Sequence, residues 1–172
     1  MGELAFVLGG TRSGKSRFAL ARAAALGGDR VTFVATARPG DPELDARIAD
    51  HRRVRPPAWR TIEAEADLAR AIADADASNV VLVDSLTLWV AWCLERGVDV
   101  NAAWQAASAE LAARATPSVI VSDEVGLGIV PLTELGRRFR DEIGVLHQQV
   151  AANADLVVLL VAGLPVTLKG TI

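Results

Sequence analysis

Apolar positions along the chain fall into short continuous runs, separated by longer stretches in which they recur every three or four residues. The runs are Leu4–Leu8, Val31–Ala35, Val80–Val83, Val119–Ser122 and Leu156–Ala162. They are rich in β-branched residues and do not alternate with polar ones, the pattern of parallel strands covered on both faces. "VTLK" near the end reads as an edge strand. Helical spacing fills Ser16–Leu26, Glu43–Arg53, Ala64–Ala73, Ser85–Arg96, Asn101–Ala115 and Leu132–Asn153. Asp41 is placed to cap the second of these, with Pro42 at its first position. Strand and helix alternate throughout, which predicts a doubly wound α/β fold: a mostly parallel sheet with helices on both faces. No repeat, low-complexity tail or linker interrupts the pattern, so residues 1–172 are expected to form a single domain.

Composition narrows the class. At 51% hydrophobic and 23% charged, the chain is expected to be globular rather than disordered. A net charge of -3 argues against the basic face of a nucleic-acid binder, so no nucleic-acid partner is expected. With Cys93 as its one cysteine, it can form neither an intramolecular disulfide nor a cysteine zinc cluster. Glu3 and the lack of a basic n-region argue against a signal peptide, and the longest apolar run, around Leu156 to Leu164, is too short to span a bilayer. A cytoplasmic location is the expectation.

Chemistry enters with "GGTRSGKS", which fits G-x-x-x-x-G-K-[ST] over Gly9, Gly10, Thr11, Arg12, Ser13, Gly14, Lys15 and Ser16. The glycines let the backbone curl so that successive N–H groups face phosphate oxygens, and the next helix turns its positive end to the same anion. Lys15 can reach the β- and γ-phosphates, and the Ser16 hydroxyl can bind Mg²⁺. Because the motif lies between a strand and a helix, the expected fold is a P-loop NTPase of the RecA-like kind. "NVVLVDSLT" supplies Asp84 at a strand end, either as a second metal-site oxygen or as a helix cap. Asp123 and Glu124, at another strand end, are weaker metal candidates. A regulatory GTPase is disfavoured, because Thr87 stands where its glycine is expected and no Asn-Lys-x-Asp clamp occurs. The chain is also short and acidic for a recombinase or helicase motor.

In "RIADHRRVRPPAWRTIE", His51 is followed by Arg52, Arg53 and Arg55. Adjacent cations favour the neutral ring, and forked guanidinium groups suit phosphate oxygens. The stretch can therefore be a nucleophilic histidine that carries a nucleotidyl group. Alternatively it is a lid of arginines, or a packed helix face shared by Leu44, Ile48 and His51.

Taken together, "GGTRSGKS", "ATA" at 35–37, "RIADHRRVRPPAWRTIE", "VLVDSLTLW", "SDEVGLGIVP" with the later "GRRFRDEIG", and "AGLP" resemble one family, in order and over nearly the whole chain. It is the adenosylcobinamide kinase/adenosylcobinamide-phosphate guanylyltransferase family of cobalamin nucleotide-loop assembly. The resemblance implies two reactions. A nucleoside triphosphate phosphorylates the hydroxyl of adenosylcobinamide; GTP then gives GMP to that phosphate through a guanylylated histidine, matched here by His51. It also implies that Gly9 to Ser16, Ala35, Thr36, Ala37, His51, Arg52, Arg53, Val54, Glu63 and Asp84 line the GTP site. Lys15 then acts with Mg²⁺ on Ser16 and Asp84, GTP and ATP are substrates, and the assembly is a homotrimer. Glu63 would accept from the guanine edge. His147 departs from the family pattern, where asparagine is frequent. Trp89, Trp92 and Trp104 read as core or subunit-interface residues. The alternatives are a single-activity P-loop kinase of a small alcohol or nucleoside with a structural histidine, and a nucleotide-dependent binding module.

Overall fold

The computed structural model describes residues 2–38, 40, 42–64 and 67–172; the side chains of 42–44, 47, 50 and 51 lie outside the description. In chain order the elements are β1 (Leu4–Gly9), α1 (Lys15–Gly27), β2 (Val31–Ala35), α2 (Pro42–Arg53), β3 (Arg60–Glu63), α3 (Leu68–Ala73) and β4 (Val80–Asp84). They continue with α4 (Leu86–Glu95), α5 (Val100–Ala113), β5 (Ser118–Asp123), α6 (Glu134–Asn153), β6 (Leu156–Val161) and β7 (Leu164–Lys169). The strands form one seven-stranded sheet in the order β3-β2-β4-β5-β1-β6-β7. All neighbours are parallel except β6 and β7, which form an antiparallel edge.

The continuous apolar runs are explained by the two faces they serve. Alternate residues of one strand enter different cores: Phe6 and Leu8 pack with α3 to α6, while Ala5 and Val7 pack with α1. Val81 and Val83 divide from Val80 and Leu82 in the same way. Ala19 and Ala23 bury the inner side of α1, and their small side chains let that helix lie close to the sheet. Trp89 and Trp104 are almost wholly enclosed on the other face; of the two roles expected for them, core or subunit interface, this is the core. No helix among the described residues is long and apolar enough to cross a membrane.

Three elements differ from the sequence pattern. β3 is polar and largely exposed, so it carries no apolar run; its pairing with β2 makes it a strand. α3 starts at Leu68, where Asp67 accepts a bond from the Arg70 N–H, rather than at Ala64; residues 65 and 66 lie outside the described residues. α6 starts at Glu134 because Thr133 caps it, accepting from the Gly136 N–H at 3.1 Å. Pro42 opens α2 as expected, while its predicted cap, Asp41, lies outside the described residues.

Register sets the carboxyl ends of five strands side by side. Gly9 pairs with Asp123, Asp84 with Val121 and Ala35, and Ala35 with Glu63. In open parallel sheets ligands bind along this edge.

Candidate active site

Between β1 and α1 the chain turns through residues 10–14. Gly14 caps the helix in the left-handed region at φ 95°, and a Cβ there would lie 3.2 Å from the Gly163 Cα. Arg12 is also left-handed, at φ 58°. The turn is held from outside as well: the Gly163 N–H donates to the Ser13 carbonyl at 2.8 Å. The first half of the "AGLP" stretch, Ala162 and Gly163, is thus the β6–β7 turn, seated against the phosphate loop, and Leu164 and Pro165 open β7.

Lys15 is buried at the start of α1. Its Nζ donates to the Gly10 carbonyl at 3.3 Å and forms an ion pair with Asp123. A cleft of roughly 290 Å³ opens beside it, lined by Thr11, Lys15, Ser16, Phe33, Ala35, Ala37, Ile48, Arg52, Arg55, Glu63, Asp84, Thr87 and Asp123, among others. Eight of the site residues expected from sequence therefore share one wall-to-wall space. A second hollow adjoins it through Arg52, Arg55 and Glu63.

The far wall is cationic. Arg52 bonds Glu63 at 2.5 Å, with both side chains more than half exposed. Arg55 lays its guanidinium 3.6 Å over the Phe33 ring and donates to Thr61 Oγ1 at 3.2 Å. Burial lowers its pKa and the Asp84 carboxylate opposes that shift; a guanidinium remains charged at neutral pH.

Ser16 and Asp84 face the same cleft, and their hydroxyl and carboxylate are the hard oxygen donors Mg²⁺ prefers. No cluster of three or more His, Cys, Asp or Glu side chains able to hold a metal occurs among the described residues. Ser16 and Asp84 would hold a magnesium ion only together with further oxygen donors, such as those of a bound triphosphate and water.

Other expected residues are placed differently. Thr36 is buried, its hydroxyl donating to the Ser85 carbonyl and accepting from the Ser85 N–H, both at 2.7 Å. It ties β2 to the β4–α4 junction, and its own N–H donates to the Asp84 carbonyl at 3.3 Å, so neither its hydroxyl nor its N–H is left for a ligand. Arg53 and Val54 do not line the cleft. The backbone of His51 lies in the last turn of α2, between Ile48 and Arg52, which both line it; the imidazole lies outside the described residues.

Sequence reasoning missed what stands behind Asp123. Its N–H donates to Thr87 Oγ1 at 2.6 Å, and Thr87 Oγ1 is 3.1 Å from Ser122 Oγ. Ser122 Oγ is 2.8 Å from Nε2 of the buried His147. The available signal was a serine ending an apolar run, directly before two acids.

A family profile described as cobinamide kinase / cobinamide phosphate guanyltransferase matches residues 5–168. The chain is 46% identical over 170 residues to the bifunctional adenosylcobalamin biosynthesis protein CobP of Pseudomonas aeruginosa, covering 95% of this chain and 96% of that one. It is 41% identical to the Escherichia coli protein CobU of the same description, over 95% and 98% of the two chains. In shape it matches the flagellar accessory protein FlaH of Methanocaldococcus jannaschii, with a TM-score of 0.53 at 14% identity over 99% of this chain and 79% of that one. A type III secretion ATPase from pathogenic bacteria gives 0.54 at 11%, over 92% and 52%. These two likenesses speak to the P-loop fold alone. A phosphate loop at the carboxyl edge of a parallel sheet, together with a profile spanning nearly the whole chain, makes this protein a member of the cobinamide kinase/cobinamide phosphate guanyltransferase family.

Proposed function

We propose that residues 1–172 act as one catalytic domain that runs both reactions of its family in the one cleft. A nucleoside triphosphate, ATP or GTP, phosphorylates the hydroxyl of adenosylcobinamide. GTP then supplies GMP to that phosphate through His51, giving adenosylcobinamide-GDP and pyrophosphate. The observation that carries this reading is the convergence of Lys15, Ser16, Asp84 and Arg52 on a single cleft beside the phosphate loop.

In the kinase step, main-chain N–H groups of the loop hold the phosphates and Lys15 neutralises charge at the γ-phosphoryl group. Mg²⁺ held by Ser16 and Asp84 supplies further charge neutralisation when bound. In the transfer step a ring nitrogen of His51 bonds to the α-phosphorus as the bond to pyrophosphate breaks. A phosphate oxygen of the acceptor then attacks, and the imidazole leaves. A different phosphorus reacts in each step, so α2 shifts relative to the loop between them. Glu63 accepts from the guanine edge once its pair with Arg52 opens; such exposed pairs are worth about 0–1 kcal/mol, so little opposes the exchange.

A homotrimer is part of this reading. Leu127, Ile129 and Leu132, between β5 and α6, are 86%, 96% and 97% exposed, and a second copy of the chain is the proposed cover. Dependence on ATP and GTP supports the cytoplasm as its compartment.

Incubation with GTP labelled at the α-phosphate, followed by denaturation, tests the covalent step. Acid-labile label is expected on the wild type and not on His51→Ala. Full labelling of that variant would end the assignment.

A further inference from the structure

The two reactions differ in the fate of a proton. An alcohol that attacks the γ-phosphorus must lose one. A neutral imidazole attacks through a lone pair, and an ionised phosphate monoester has no proton to lose on its attacking oxygen. Only in the kinase step does the attacking atom itself carry a proton, so it is the step that calls for an acceptor placed beside the nucleophile.

Three carboxylates line the cleft: Glu63, Asp84 and Asp123. Glu63 sits on the outermost strand and is held by Arg52. Asp84 is the oxygen donor proposed for the metal. Asp123 stands beside the phosphate loop, opposite Gly9 in register and paired with Lys15. Its side chain is 25% exposed, so a substrate can reach it.

Resting on the two-reaction reading above, we propose that Asp123 is the proton acceptor of the kinase step. The alcohol oxygen forms its bond to the γ-phosphorus, and the bond from that phosphorus to the β–γ bridging oxygen breaks. The nucleoside diphosphate departs with the electron pair. The hydroxyl proton passes to an Asp123 carboxylate oxygen and returns to water after product release. The geometry suits this exchange. The main chain at Asp123 is fixed by its 2.6 Å bond to Thr87 and by the Glu124 N–H, which donates to the Gly9 carbonyl at 3.1 Å. The carboxylate itself is held by Lys15 alone among the described contacts. When a triphosphate draws the lysine amino group to its phosphates, Asp123 is released to face the acceptor.

The test is a split between activities. In Asp123→Asn, kcat for phosphorylating adenosylcobinamide should fall by roughly 10²–10⁴-fold, with KM for the triphosphate changed only a few-fold. Labelling of the protein by α-labelled GTP, and GMP transfer to preformed adenosylcobinamide phosphate, should persist within a few-fold. Lys15→Ala should lose both. If Asp123→Asn loses labelling and kinase activity together, Asp123 merely sets the lysine and the proposal fails; it fails equally if kinase activity is unchanged. Circular dichroism and a thermal melt accompany the assay. If the asparagine variant melts at the assay temperature, Asp123→Ser is judged by the same split. If the wild type takes no label, the His51 reading is what fails, and Asp123 is judged on the change in kcat against KM.

Discussion

His147 packs its ring edge-to-face on Phe6, with centroids 5.5 Å apart, and holds Ser122 through Nε2. Burial lowers its pKa, and the carboxylates of Glu124 and Asp123 oppose the shift only in part. The sign of the stability effect follows from linkage. An unfolded histidine titrates near 6.5, so as pH falls below about 6.5 the unfolded chain takes up the proton more readily than the folded one. The folded state is therefore fully favoured above that pH and loses ground beneath it. His147→Asn keeps a polar group beside Ser122 and removes the titration. Melting temperatures between pH 7 and 5 should fall more steeply for the wild type than for this variant; parallel slopes would refute the account. Nothing in "VLHQQV" announces this burial. It depends on Ser122, 25 residues away, lying across from the ring.

Among the elements, the phosphate loop was the most legible. Its residue types encode its shape, because Gly14 needs a left-handed conformation that a side chain resists. Gly14→Ala should cost ~1–2 kcal/mol of backbone strain. At about 2–4 °C per kcal/mol for a chain of this size, the melting temperature should drop by roughly 2–8 °C. The added Cβ also presses on Gly163, so calorimetry should record weaker triphosphate binding; an unchanged melt and affinity would contradict the strain argument. β3 was the least legible element. "RTIE" has no apolar run, and only the neighbouring edge of β2 makes it a strand. Helix ends followed local capping: Asp67 and Thr133 fixed two starts that apolar spacing alone set too early.

At the scale of the whole molecule, the exposed residues between β5 and α6 bear on assembly. Ile129→Glu removes apolar surface at a residue 96% exposed, so the fold should persist. Sedimentation should shift from the mass of three chains to one; a wild type already of single-chain mass, or a variant still trimeric, would count against the proposed assembly. Family membership, the α/β class and the phosphate loop could be read from residue order, because strand runs, glycine turns and the Lys15-Ser16 pair act through local chemistry. Strand order could not be read, since the runs are equally apolar and nothing local says which will be neighbours. Tertiary structure alone decided that β5 lies between β4 and β1. That choice set Asp123 against Lys15, Thr87 against Ser122, and Ser122 against His147. These contacts join residues distant in sequence, and they form only when separate strands and helices pack on a common sheet.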